Sequence, residues 1–151
     1  MKVIVDDKIP YIREALKTMG VDAVYLPGNK IDCASVSDAD ALIVRTRTHC
    51  NADLLEGSRV QFIATATIGY DHIDTAYCAA KGIKWTNAPG CNAASVCQYI
   101  QSTLLLLQLE QGIQLDEATI GIIGVGHVGT LVAEMARRWG MRPLLCAPPR
   151  A

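Results

Sequence analysis

The chain has 151 residues, half of them hydrophobic and about a fifth charged (19%), the balance of a globular protein rather than of a disordered chain. Fourteen basic side chains face fifteen acidic ones, so no strong field invites a nucleic acid or an anionic membrane. The densest apolar run, Thr103–Leu107, is far short of the roughly 20 residues that a membrane span needs.

Met1 leads straight into the strand-like run Lys2–Asp6, which predicts no signal peptide and a cytoplasmic location. Pro10–Met19 reads as a helix, with Pro10 in its first turn and Gly20 at its end. Strands follow at Val21–Leu26 and Ala41–Arg45, then a short helix at Ala52–Glu56 and a strand at Gln61–Ala66. A helix at Asp74–Lys81, stopped by Gly82, and a strand at Ile83–Asn87 complete five strands in about 90 residues. Short apolar strands alternating with helices argue for an α/β fold, a parallel sheet covered on both faces as in flavodoxin-like units. Ala88-Pro89-Gly90 breaks the rhythm. A long helix then runs from a cap at Asn92 to about Glu110; Val96, Ile100, Leu104 and Leu107 recur at helical spacing. Leu105, Leu106 and Leu109 widen that stripe, which predicts a helix buried between layers or domains. Thr119–Ile123, His127–Trp139 and Arg142–Cys146 form one further βαβ, the start of a second, Rossmann-type unit. The expected division is 1–90 and 91–151.

The six cysteines form no C-x-x-C pair and match no zinc spacing, which predicts free thiols in a reducing compartment and no metal site. Cys97 and Cys146 sit in apolar stretches and are expected in the core.

The segment TIGIIGVGHVG, Thr119–Gly129, carries G-x-G-x-x-G where a strand hands over to a helix. Gly124 permits the tight turn, Gly126 lets a pyrophosphate approach the backbone, and Gly129 lets the helix pack against the strand. The N–H groups at the helix start, around His127 and Val128, then face the phosphates. In that context the motif predicts dinucleotide binding. At the end of the next strand, where NAD sites carry an acidic residue for the ribose hydroxyls, stands Ala147. NAD is the expected cofactor. The alanine, with Arg150 near it, leaves NADP open.

Six stretches tile nearly the whole chain and together resemble the D-2-hydroxyacid dehydrogenases: KVIVDDKIPY, DADALIVRTRT, FIATATIGYDHID, APGCNAASV, TIGIIGVGHVG and LLCAPPRA. The resemblance implies a substrate domain, a nucleotide domain inserted after it and a linking helix that starts near Asn92. It implies oxidation of a phosphorylated 2-hydroxy acid, with a histidine–glutamate pair as base and an arginine on the substrate carboxylate. By position those residues fall beyond Ala151, as does a dimerisation region, so no catalytic residue is expected within this chain. The chain alone is expected to be inactive, and the full-length enzyme a homodimer.

Carried over by position, Thr46 and Thr67 match substrate-contacting hydroxyl residues of the family, both placed just after predicted strands. A phosphorylated acid needs cationic partners. Arg45 and Arg47 flank Thr46, and neighbours in extended chain point oppositely, so one of them is expected to face the substrate, with Arg45 preferred. Asp71, His72 and Asp74 are read as a helix cap with a structural histidine rather than as a metal or acid–base site. Two alternatives stand beside this reading: a sister dehydrogenase acting on phosphoglycerate or another small acid, and a non-catalytic dinucleotide-sensing module.

Overall fold

The computed structural model describes residues 1–147; Arg150, one of the residues considered above, lies outside them. The chain forms two compact units, Met1–Pro89 and Gly90–Ala151.

In the first unit β1 (Val3–Asp6), α1 (Ile12–Thr18), β2 (Ala23–Leu26), α2 (Cys33–Val36), β3 (Ala41–Val44), α3 (Ala52–Leu55), β4 (Phe62–Thr65), α4 (Thr75–Lys81) and β5 (Lys84–Thr86) follow in order. The strands form one parallel sheet in the order β2-β1-β3-β4-β5, the flavodoxin-like arrangement. Successive side chains leave a strand on opposite faces. Val3 and Val5 accordingly pack with Leu16 of α1 in one core, while Ile4, Leu42, Val44 and Ile63 pack with Val36, Leu54 and Cys78 in the other. Both faces are therefore apolar, which is why the strands read as nearly unbroken hydrophobic runs.

Several local details differ from the sequence reading. Pro10 lies outside α1, because Tyr11 turns to φ 59° and the helix starts only at Ile12. The segment between β2 and β3, to which the sequence assigned no element, holds a 3-10 turn (Gly28–Lys30) and α2. A capping box made by Asp32 and Ser35 starts α2; with four residues it is too short for its periodicity to show. Of the two candidate caps for α4, Asp74 does the work, accepting from the Tyr77 N–H, and Gly82 closes the helix at φ 69°.

The second unit contains α5 (Ala93–Gln111), a 3-10 turn (Leu115–Glu117), β6 (Thr119–Ile123), α6 (His127–Arg138) and β7 (Arg142–Cys146). β6 and β7 pair in parallel, Thr119 opposite Arg142 through Ile123 opposite Cys146. The core here is Cys97, Ile122, Val132, Ala133 and Met135, with Ile100 and Leu104 against it. α5 is not buried all round as expected. Its Cys97–Ile100–Leu104 side packs inward, whereas Leu105, Leu106 and Leu109 are exposed, Leu109 at 81%. Asn92 makes no side-chain cap on α5. Cys146 is exposed rather than in the core, on a sheet of two strands among the described residues. Among the described residues no helix is long and apolar enough to cross a membrane.

Candidate functional site

The carboxyl ends of β1, β2 and β3 open on a cavity of about 350 Å³ lined by Asp6, Lys8, Pro27, Gly28, Asn29, Arg45 and Arg47. Ligands of such sheets bind at this end of the strands. Both arginines line it, where one was expected. The reason is that residues 45–48 form a turn, closed by the Thr48 N–H on the Arg45 carbonyl at 3.1 Å, so the alternation of extended chain does not apply. Arg45 also donates to the Lys8 carbonyl at 3.3 Å. Gly28 is held by the Thr48 hydroxyl, which donates to its carbonyl, and a Cβ there would run into the buried Asp6 carboxylate. Thr46 is exposed at the tip of the turn, and its hydroxyl has no hydrogen bond among the described residues.

After β4 the chain makes a second, tightly tied turn. The Thr67 carbonyl accepts from the Ala88 N–H at 3.0 Å, and the Ile68 carbonyl from the Asn87 amide at 2.8 Å. The Gly69 carbonyl accepts from the Thr67 hydroxyl at 2.8 Å. The three carbonyls are thus all engaged, while the N–H groups of Thr67, Ile68 and Gly69 have no protein acceptor among the described residues. Thr67, expected to offer its hydroxyl proton to a ligand, has already given it to Gly69. Behind it lie Thr65, to which the sequence gave no role, and His72, expected to be structural; both are buried. Thr65 Oγ1 stands 2.7 Å from Thr67 Oγ1 and 2.9 Å from His72 Nε2. Burial holds the His72 imidazole below its ordinary value near 6.5, His49 adds to the effect, and Asp71 opposes it.

In the second unit β6 enters α6 through the glycine turn. Gly124 has φ 90°, a conformation strained for any residue with a side chain. A Cβ on Gly126 would point into open space. A Cβ on Gly129 would collide with the Gly124 carbonyl and crowd Ile122. Gly126 caps α6 without a side-chain bond, so the N–H groups of His127, Val128 and Gly129 at the helix start have no protein partner among the described residues. Beside them is a cavity of about 540 Å³ lined by Gly90, Ala93, Ala94, Val125, Gly126, His127, Thr130 and Leu131. The His127 ring lies against Gly90, where a Cβ would not fit. Ala147 is exposed one residue past β7, next to the turn, because the Gly124 N–H donates to the Cys146 carbonyl at 2.8 Å.

The catalytic domain of the D-isomer specific 2-hydroxyacid dehydrogenases matches residues 3–135. The chain belongs to that family. Over 150 residues it is 61% identical to erythronate-4-phosphate dehydrogenase of Bacteroides fragilis (strain YCH46), a match that takes in 99% of this chain and 43% of that protein. The chain thus spans less than half the length of this relative. Among solved structures, 3-phosphoglycerate dehydrogenase of Entamoeba histolytica with bound NAD+ is 28% identical, with a TM-score of 0.76 over 98% of this chain and 54% of that one. D-2-hydroxyisocaproate dehydrogenase, at 22% identity, shares the fold with a TM-score of 0.80 over 100% of this chain and 54% of its own.

Proposed function

We propose that this chain supplies the substrate domain and the first βαβ of the nucleotide domain of an erythronate-4-phosphate dehydrogenase. The reaction is oxidation of 4-phospho-D-erythronate at its C2 hydroxyl to 3-hydroxy-2-oxo-4-phosphooxybutanoate, a step toward pyridoxal 5′-phosphate, in the cytoplasm and by a homodimer. The single observation that carries the reading is the glycine turn. Its free helix-start amides and its open face at Gly126 fit a diphosphate. The 61% identity to a protein of that name supports the substrate.

Gly124, Gly126, His127, Val128 and Gly129 hold the pyrophosphate, and Ala147 lies where the adenosine ribose is received. When bound, NAD supplies the hydride acceptor. Arg45 and Arg47 hold the substrate phosphate, with Thr46 at the rim of their turn. The unpaired N–H groups of Thr67, Ile68 and Gly69 receive the carboxylate, whose charge they complement. None of the three histidines serves as the base. His72 is buried against Thr65, His127 lies against Gly90 at the helix start, and His49 sits outside both cavities. The 151-residue chain on its own therefore turns over no substrate.

Turnover by the full-length protein, assayed side by side on 4-phosphoerythronate and 3-phosphoglycerate with NAD and NADP, tests the assignment. Preference for the first acid is the expected outcome, and preference for the second makes the protein a sister dehydrogenase. Ala147 favours one other reading, a dinucleotide sensor without catalysis. Tight NADH binding in calorimetry with no turnover of either acid would establish that reading instead.

A further inference from the structure

The hydroxyls of Thr65 and Thr67 carry one proton each, and that count fixes the direction of a buried chain. Thr67 spends its proton on the Gly69 carbonyl at 2.8 Å, so at the 2.7 Å contact it can only accept. Thr65 has one proton and two acceptors in reach, the Val44 carbonyl at 3.4 Å and Thr67 Oγ1 at 2.7 Å; the shorter contact takes it, so Thr65 donates to Thr67 and its lone pairs face His72 Nε2 at 2.9 Å. A lone pair on Nε2 would repel them, so the ring must carry its proton there. The opposite tautomer reverses the chain. Thr65 would donate to His72, Thr67 would turn its proton back to Thr65, and the Gly69 carbonyl would be released.

We propose that His72 is a positioning residue: its Nε2–H, acting through Thr65 and Thr67, locks the Gly69 carbonyl and so sets the turn whose N–H groups receive the substrate carboxylate. The carboxylate clause rests on the proposed function; the direction of the chain does not. His72 is almost wholly buried, and its carbonyl is tied down by the Cys50 N–H at 2.8 Å, so its backbone is fixed to the segment between β3 and α3. A structural histidine needs only to fill its space. This one is joined by hydrogen bonds to a turn three residues upstream in the chain.

Two measurements test the proposal separately. Long-range proton–nitrogen correlation spectra of the protein labelled with 15N-histidine read the tautomer directly, without a variant or substrate. A neutral His72 protonated at Nε2 is expected, and a proton on Nδ1 overturns the proposal. In the full-length enzyme, His72→Leu keeps the bulk and removes the donor, and is expected to raise the KM for 4-phosphoerythronate roughly tenfold with kcat little changed. His72→Gln, which restores an N–H, recovers much of that loss. Thr65→Val breaks the same chain, so the double variant should be no worse than either single one. Independent, multiplying effects of the two substitutions would overturn the proposal even if both proteins fold. A protein that oxidises no phosphoerythronate sinks the proposed function but leaves the tautomer to decide the chain's direction.

Discussion

Two single residues set measurable quantities. In the proposed cofactor site Ala147 takes the place of a carboxylate that would accept from ribose hydroxyls, and its exposure just past β7 leaves room for a longer side chain. Hydrogen bonds to a charged acceptor are worth about 1.5–3 kcal/mol. Ala147→Asp is therefore expected to tighten NADH binding by roughly ten- to a hundredfold, read by calorimetry, and to weaken NADPH binding by repelling its 2′-phosphate. His72 makes a statement about pH. Burial, with a contribution from His49 and against the pull of Asp71, keeps its folded value below the ordinary 6.5. Between those two values the unfolded chain binds the extra proton and the folded one does not, so stability falls as pH drops below about 6.5 and levels off under the folded value. Urea midpoints measured across that window should show a slope in the wild type that flattens in His72→Gln. An unchanged slope would mean that His72 titrates normally in the fold.

At the scale of elements, the junction of β6 and α6 separates two uses of glycine within one motif. Gly129 is needed by the fold, since a methyl there meets the Gly124 carbonyl and Ile122. Gly129→Ala should cost about 1–3 kcal/mol of stability and damage the turn as well. Gly126 has open space beside it, so Gly126→Ala should leave the melting temperature almost unchanged while abolishing dinucleotide binding. Loss of stability in both variants would show that the open face is part of the packing. The motif itself was legible because each glycine answers a local steric demand. So was the five-stranded sheet, since strands buried on both faces announce themselves as apolar runs between glycine-stopped helices. What stayed hidden was set by partners distant in sequence. Leu105, Leu106 and Leu109 read as buried yet are exposed, because hydrophobicity says that a residue prefers cover and not that cover is present. Pro10 suggested a helix start, but the left-handed Tyr11 delays the helix by two residues. Thr65 and His72, seven residues apart, meet only because the chain doubles back after β4.

For the whole molecule the two units differ in how fully their sheets are covered. Met1–Pro89 has five paired strands with apolar cores on both faces, so its strand faces are largely buried and only β2 and β5 are edges. Among the described residues the second unit rests on two strands, and isolated two-stranded sheets are marginal in water. Its strands leave Ile123 87% exposed, with Leu144 and Leu145 about half exposed. Burial contributes about 25 cal/mol per Å² of apolar surface, a gain these residues forgo while the cost of ordering the backbone is still incurred. Residues 1–89 expressed alone should therefore melt cooperatively, with the circular dichroism of an α/β domain. Residues 90–151 alone should show a broad, non-cooperative transition, bind a hydrophobic dye and associate as concentration rises. A sharp, concentration-independent melt of the second segment would mean that α5 and α6 cover the two strands well enough by themselves. The glycine turn would then be a preformed cradle, able to bind a dinucleotide without further strands beside β6.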